Sequence, residues 1–153
     1  MALRLCPVAA SAFALVRHIE VEPDQSLFCG TVKQAFDSAE DGVDFHAIFL
    51  HETAIGFFRI DRTHGLARSS ELGLRGFMID RRHQNKGYAN QALLALPAYL
   101  KTQYPESSGL VLTVDQQNLL AIHLYRRTGF DDLGELHFGG LFGLQKVLRA
   151  AFA

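Results

Sequence analysis

The segment RRHQNKGYANQALLAL, residues 81–96, limits what this chain can fold into more than any other part of it. It begins polar, passes through Gly87 and then carries apolar residues at helical spacing. A loop that enters a helix at glycine leaves free backbone N–H groups at the positive end of the helix dipole, where a phosphate can bind. The alternative is an ordinary loop-to-helix junction. The pattern Gln84-x-x-Gly87-x-Ala89 does not by itself separate these two interpretations.

The apolar patterning around this segment predicts a mixed α/β sheet, with antiparallel hairpins first and strand–helix–strand units later. Helices are expected after Ser11, within residues 31–39, after Gly87 and after Asn118. Strands are expected in RLCPV, in two runs that flank residues 52–54, in SSELGLRGFMID, in GLVLTV and in two runs around residues 139–140.

Three residues predict irregularities within these strands and helices. Gly73 and Gly76 are unusual inside a strand and predict a bulge or a close backbone approach. Pro97 lies within the helix that follows Gly87, where the missing N–H predicts a kink.

Length and charge exclude several classes of protein. The 153 residues predict a single domain, residues 1–153, and a net charge of -1 offers no basic face for nucleic acid or for a membrane surface. Pro7 interrupts the first apolar run, so we expect no signal peptide. Cys6 and Cys29 form no C-x-x-C pair and predict reduced thiols in a cytoplasmic protein. The histidines lack ligand spacing, so no metal site is expected.

A second polar pattern lies downstream of the glycine junction. Asn118 is a good N-cap, and Tyr125 follows seven residues later on the same face of the predicted helix, which ends at Gly129 and Phe130. Each residue could have a purely structural role, with Asn118 capping and Tyr125 packing at the core edge. The joint pattern N-x-x-A-x-x-x-Y-x-x-x-G-F, after a strand, a glycine junction, a helix and a strand, favours a site.

The two blocks FMIDRRHQNKGYANQALLAL and LTVDQQNLLAIHLYRRTGF together resemble the GNAT superfamily of N-acetyltransferases. The first block is similar to its acetyl-CoA motif, Q/R-x-x-G-x-G/A, and the second to its Asn…Ala…Tyr…Gly-Phe motif. Close matching covers residues 75–132. The resemblance implies an α/β (α+β) single domain, with a mixed, mostly antiparallel twisted sheet of six to seven strands flanked by about four helices.

The resemblance also implies roles for individual residues, with acetyl-CoA as cosubstrate. The backbone of Phe77, Met78 and Ile79 would bind the pantetheine arm and polarise the thioester carbonyl. Asn118 would contact the same arm, and Tyr125 would protonate the departing thiolate. The pyrophosphate would be held by backbone N–H groups of Gln84, Asn85, Lys86, Gly87, Tyr88 and Ala89.

The general base and the acceptor are less constrained. The family often uses a glutamate on the strand before the glycine junction, which implies Glu71 here, with Asp115 as the second candidate; Glu71 could equally be a solvated carboxylate. Within the superfamily, RGFMIDRRHQNKGYANQALLALPAYLKTQYPES is most similar to bacterial spermine/spermidine acetyltransferases, which implies a small amine such as a polyamine. Carboxylates that could surround a polyamine are Glu20, Glu22, Asp24, Glu71 and Asp80.

Several alternatives remain open at this stage. The acceptor could be a protein N-terminus, an amino acid or an amine antibiotic, and the domain could bind acyl-CoA as a sensor without catalysis. Tyr125 favours an enzyme, because a domain that only binds has no need of a phenol at the thiolate. No nucleic acid or membrane partner is expected, and the chain could form a homodimer.

Overall fold

A computed structural model describes residues 3–140 and 143–152. These residues form one seven-stranded sheet with strand order β1-β2-β3-β4-β5-β7-β6. The strands are β1 (Leu3–Val8), β2 (Val43–Leu50), β3 (Thr53–Asp61), β4 (Glu71–Ile79), β5 (Gly109–Asp115), β6 (Asp131–Gly140) and β7 (Gly143–Ala151). Neighbouring strands are antiparallel except for β4 and β5, which are parallel. The predicted α+β class, with its mixed and mostly antiparallel sheet, is confirmed.

Four α-helices accompany the sheet within the described residues: α1 (Pro23–Cys29), α2 (Val32–Asp37), α3 (Tyr88–Gln103) and α4 (Leu119–Arg127). The helix expected within residues 31–39 is α2, and its capping box joins Thr31 to Gln34. The helix expected after Ser11 is wrong, because only a 3-10 turn forms at Phe13–Leu15, without a side-chain cap. Instead α1 forms later, where Pro23 occupies the first helical turn.

Three further predictions concern the two hairpin turns and Pro97. The β2–β3 turn lies at His51 and Glu52, where His51 has a φ of 55°, rather than at residues 52–54. Helix α3 runs unbroken through Pro97 to Gln103. A turn was expected around residues 139–140, but these two residues belong to β6. Residues 141–142, which follow them, lie outside the described part of the chain.

Apolar side chains form a core on each face of the sheet. One core packs α3 against β3, β4 and β5 and includes Phe58, Leu93, Leu96, Leu110 and Leu112. The other lies under α2 and the 3-10 turn and is rich in phenylalanine. Because side chains alternate between the two faces of a strand, the neighbours Phe57 and Phe58 on β3 face different cores.

A buried polar network ties α3 to β2. His46 is 1% exposed and stacks on Phe58; its Nδ1 lies 2.6 Å from the Tyr99 hydroxyl and its Nε2 lies 2.8 Å from the Tyr104 hydroxyl. Burial lowers the pKa of His46 to about 4, so the ring is neutral at neutral pH; because Tyr104 donates its proton to Asp44 at 2.7 Å, Nε2 donates to Tyr104 and Nδ1 accepts from Tyr99. The network therefore holds a neutral imidazole.

Candidate active site

Strands β4 and β5 separate to form a cleft. The paired segment is short: it begins where Glu71 lies opposite Gly109 and ends where Gly73 lies opposite Val111. Beyond that point the edge of β4 that faces β5 has no strand partner among the described residues, so its backbone groups are open to a ligand. The separated strands border a cleft of about 840 Å³, and residues 74–79 of β4 lie along its wall.

A β-bulge at Gly76 accompanies this separation. Phe57 opposes Met78 and Arg59 opposes Arg75, so β4 uses one more residue than β3 over this interval. Gly76 has a φ of 60°, a left-handed conformation that glycine adopts most easily. A Cβ at Gly73 would instead meet the His64 ring. The prediction of a bulge or a close approach at these two glycines is confirmed.

The loop before α3 is built to present backbone N–H groups. Asn85 and Gly87 have φ values of 62° and 82°, and Gly87 is the N-cap of α3. No side chain caps this helix and its first turn contains no acidic residue, so its N–H groups and the positive end of its dipole are free. Gly87 lines the cleft, and a Cβ added there would meet nothing within 4 Å. This geometry suits an anion such as a diphosphate.

Side-chain hydrogen bonds fix this loop in place. The Gln84 amide donates to the Ile79 carbonyl at 2.8 Å and exchanges two hydrogen bonds with Gln25 of α1. Gln84, Asn85, Gly87, Tyr88 and Ala89 line the cleft, whereas Lys86 lies in the loop but not on the cleft wall. The Gln84 side chain therefore braces the loop, and only its backbone is available for an anion.

Asp80 is a second brace at the end of β4. It is 1% exposed and accepts hydrogen bonds from Arg82 at 3.0 Å and from the Glu20 N–H at 2.9 Å. Burial alone would raise the pKa of Asp80, but the hydrogen bonds from Arg82 and Glu20 outweigh it and hold the pKa below its usual value. Asp80 is thus not one of the carboxylates that could surround a polycation.

Helix α4 presents Asn118 and Tyr125 to the same cleft. Asn118 caps the helix, because its Oδ1 accepts from the Ala121 N–H at 3.4 Å, and its amide N–H groups remain free to donate. Tyr125 packs edge-on against Phe130 at 5.4 Å between ring centroids, and its hydroxyl has no hydrogen-bond partner among the described residues. Burial, reinforced by the nearby Cys29 thiol, raises the pKa of Tyr125, so the phenol keeps its proton.

Glu71 does not lie in the cleft, and the structure argues against the base role expected for it. Its carboxylate accepts from the Arg149 guanidinium and from the Arg68 N–H at 2.9 Å. It stands at the paired end of β4, opposite Gly109, away from the separated end of the strands. The spacing along the sequence could not reveal this, because the partner Arg149 comes from β7.

Asp115, the second candidate, does line the cleft at the separated end of β5. It is 6% exposed; its Oδ1 accepts from the Gln117 N–H at 2.8 Å, and its Oδ2 is buried without a hydrogen-bond partner among the described residues. A buried carboxylate oxygen with no partner is costly unless something supplies a proton or a donor. Asp115 thus borders the cleft and has one carboxylate oxygen that no described residue satisfies.

Some lining residues were not predicted from the sequence. Gln25 and Cys29 reach the cleft on α1, and Arg59 reaches it from β3. The signal for Arg59 was available, because it is a charged residue inside the apolar run IGFFRID, a setting that requires a partner. The described residues hold no group of three or more His, Cys, Asp or Glu side chains that could bind a metal ion. Cys6 and Cys29 are free thiols.

Solved structures place this fold in a known class. Over 98% of this chain and 95% of the other, it superimposes on spermidine N-acetyltransferase from Vibrio cholerae, solved with CoA and spermine, with a TM-score of 0.74 at 14% identity. It also superimposes on AAC(6')-Ib, solved with an aminoglycoside and acetyl-CoA, over 99% of this chain and 94% of the other, with a TM-score of 0.78 at 16% identity. The fold is that of the N-acetyltransferases.

Sequence comparison identifies the family. The model of the acetyltransferase (GNAT) family matches residues 11–130, and the chain belongs to this family. The N-acetyltransferase YbbJ of Bacillus subtilis is 41% identical over 67 residues, 44% of this chain and 41% of YbbJ. Spermine/spermidine N(1)-acetyltransferase of the same organism is 37% identical over 73 residues, 48% of this chain and 47% of that enzyme. The chain thus spans about half the length of the curated relatives it matches.

Within the described residues, no helix combines the length and the apolar character that a membrane crossing requires.

Proposed function

We propose that this chain is an acetyl-CoA-dependent N-acetyltransferase that moves an acetyl group directly to the primary amine of a small molecule. One observation carries the proposal: the uncapped N-terminus of α3, the unpaired edge of β4 and the Tyr125 hydroxyl all border one cleft. These parts match three demands of acetyl-CoA, which are a diphosphate, an extended amide-bearing arm and a thiolate leaving group. Family membership and fold neighbours solved with CoA support the same reading.

The binding roles follow from the elements. Backbone N–H groups at Gly87, Tyr88 and Ala89 hold the diphosphate, while the braced loop keeps them in position. The free edge of β4 at Phe77, Met78 and Ile79 forms strand-like hydrogen bonds with the pantetheine arm. Their side chains do not serve this purpose, since Met78 and Ile79 are buried in the cores. The Asn118 amide donates to the same arm, and Lys86 contributes only through its backbone.

The proton transfers fall to two residues. Asp115 accepts a proton from the acceptor's ammonium group, which frees the nitrogen lone pair to attack the thioester carbon. As the new C–N bond forms, the C–S bond breaks and the nitrogen releases its second proton to solvent. Tyr125 donates its proton to the leaving thiolate and then recovers a proton from solvent. A phenol with a raised pKa suits this role, because it is protonated at neutral pH.

The names of similar proteins suggest which class of amine accepts the acetyl group. Proteins similar to this chain are named for spermine and spermidine, which makes a polyamine one candidate, and AAC(6')-Ib makes an amine antibiotic another. An amino acid and a protein N-terminus are the further candidates. A cytoplasmic location and a homodimer stay expectations.

A panel of amines assayed with acetyl-CoA and a thiol-detecting reagent tests the proposal. We expect CoA release that depends on one amine, with mass spectrometry showing a single added acetyl group. Binding of acetyl-CoA by calorimetry without turnover of any amine would favour a sensor domain instead.

A further inference from the structure

Arg59 is a half-buried cation on the cleft wall that lacks an ion-pair partner among the described residues. Its Nε is buried without a hydrogen-bond partner. Its neighbour Arg75 differs, because Glu40 and Asp61 lie 3.6 Å and 3.5 Å from the Arg75 Nη1. Glu40 and Asp61 therefore form ion pairs with Arg75, and they act on Arg59 only from beyond ion-pair distance. A buried cation in this state is costly unless a ligand supplies an anion.

The guanidinium stands beside the bulge where the strands separate. A Cβ at Gly76 would meet the Arg59 Nη2 at 2.9 Å and its Nε at 3.2 Å, so the planar group lies against the glycine backbone. A larger residue at position 76 would displace it. The bulge therefore does two things: it accompanies the opening of the cleft and makes room for Arg59.

Arg59 and Asp115 project from the same face of the sheet. Phe58 and Ile60 of β3, together with Leu112 and Val114 of β5, belong to the core beneath α3. Residues that alternate with them, including Arg59 and Asp115, face the opposite side, beneath α1. The buried side-chain atoms without a partner in the described residues are the Arg59 Nε and the Asp115 Oδ2. One is a donor, the other is an acceptor, and both residues line the cleft.

Charge in the cleft does not favour a polycation. Of the five carboxylates considered for a polyamine, only Asp24 lies on the cleft wall, where Asp115 also lies. Three arginines share that wall: Arg59, Arg75 and Arg127. A second ammonium group of a polyamine would therefore approach a half-buried guanidinium that has no carboxylate within ion-pair distance among the described residues, and the two cations would repel each other.

We infer that the acceptor amine also carries an oxyanion, a carboxylate or a phosphate, and that Arg59 binds this group while Asp115 receives the amine. This deepens the proposed N-acetyltransferase function and rests on it. A guanidinium suits the purpose, because its planar fork donates two parallel hydrogen bonds to a carboxylate or a phosphate.

Matched amines test the inference. Glycine, β-alanine, γ-aminobutyrate and phosphoethanolamine would be compared with ethylamine, propylamine, butylamine and spermidine, each with acetyl-CoA. We expect kcat/KM for the best oxyanion-bearing amine to exceed that of the alkylamine of similar length by about tenfold or more. Preference for phosphoethanolamine would identify the oxyanion as a phosphate, and preference for an amino acid as a carboxylate. If spermidine or an alkylamine were the best substrate, the inference would be overturned and the acetyltransferase function would stand.

Variants of Arg59 supply the second measurement. Arg59→Gln should lower kcat/KM for the oxyanion-bearing amine about tenfold more than for the alkylamine, and Arg59→Lys should restore part of the difference. Arg62→Gln is the control, because Arg62 is exposed and pairs with Asp44 outside the cleft. Equal losses for both kinds of amine would contradict the proposed contact.

A binding assay separates this inference from the proposed function. If no amine is acetylated, glycine, β-alanine, γ-aminobutyrate and phosphoethanolamine would each be titrated calorimetrically into the protein saturated with CoA. Binding that Arg59→Gln removes would uphold the contact although the catalytic proposal fails. No binding of any oxyanion-bearing amine to the unmodified protein would overturn it.

Discussion

Glu71 and Arg149 form an ion pair across β5, at the end of the sheet where β4 and β5 are still paired. Arg149 is 8% exposed and also donates to Glu135 at 2.7 Å and to the Leu66 carbonyl at 3.0 Å. This one guanidinium joins three strands, β4 through Glu71, β6 through Glu135 and its own strand β7, and it reaches across β5 to do so. The pair therefore holds together the closed end of a sheet whose other end must stay open.

Glu71→Gln should consequently affect stability rather than catalysis. We expect a loss of about 1–3 kcal/mol, since Arg149 would keep Glu135 but lose one partner of a buried pair. The kcat for acetyl transfer should stay within about twofold. Urea denaturation and steady-state kinetics measure the two effects.

Asp115→Asn is the matched comparison and should behave in the opposite way. Asparagine keeps an oxygen for the Gln117 N–H, so stability should change little, while kcat should fall by about 10²–10⁴-fold as the base is lost. If Glu71→Gln lowered kcat as much as Asp115→Asn, the assignment of the base to Asp115 would be wrong.

Tyr125→Phe should lower kcat by about 10²-fold or more while KM for acetyl-CoA changes little, because it removes a proton donor and leaves the binding surfaces intact. The melting temperature should be nearly unchanged, since the hydroxyl has no hydrogen-bond partner among the described residues. An unaltered kcat would remove Tyr125 from the mechanism.

Gly87→Val should abolish binding of acetyl-CoA, because the added side chain occupies the space through which an anion approaches the α3 N-terminus. Gly134→Val is a close control. Gly134 has a φ of 83°, against 82° for Gly87, and a Cβ there likewise meets nothing within 4 Å, but it lies outside the cleft. Both changes should cost a similar 1–2 kcal/mol of backbone strain. Calorimetry that finds equal affinity in both variants would contradict the anion site.

Stability should fall as the pH drops below the ordinary pKa of histidine. Burial lowers the pKa of His46 from 6.5 to about 4, so the unfolded chain binds a proton in this window and the folded chain does not. Stability contributed by the neutral imidazole is complete above about pH 6.5 and is lost as the pH falls toward 4. The free energy of unfolding should decrease by roughly 2 kcal/mol between about pH 7 and pH 5.

His46→Gln should flatten that pH dependence, whatever its effect on stability at neutral pH. Burial also lowers the pKa of His64, so His64→Gln is the comparison that separates the two histidines. If the pH dependence survived in His46→Gln and disappeared in His64→Gln, its cause would be His64 and the role given to His46 would be wrong.

Local patterns were enough to predict where α3 and α4 begin. Gly87 and Asn118 act through backbone conformation and capping, which depend on residues a few positions away, and the structure has both as expected. Helix α1 was missed, since its seven residues, PDQSLFC, carry no buried side chain and hence no apolar period. With α1 the prediction also missed the partner of Gln84.

What the sequence by itself determined is the family, the order of the strands and of the helices α2, α3 and α4, and the glycine junction that begins α3, because these depend on short-range patterns. Only the tertiary structure decided which charged residues are paired and which are not. Glu71 and Asp115 are both acidic residues at strand ends. Arg149 of β7 pairs with Glu71, whereas the Asp115 Oδ2 has no hydrogen-bond partner among the described residues. Arg59 and Arg75 lie opposite each other, yet only Arg75 is paired. Pairing of charges depends on which distant segments of the chain meet in the fold, and a short sequence pattern does not show which segments these are.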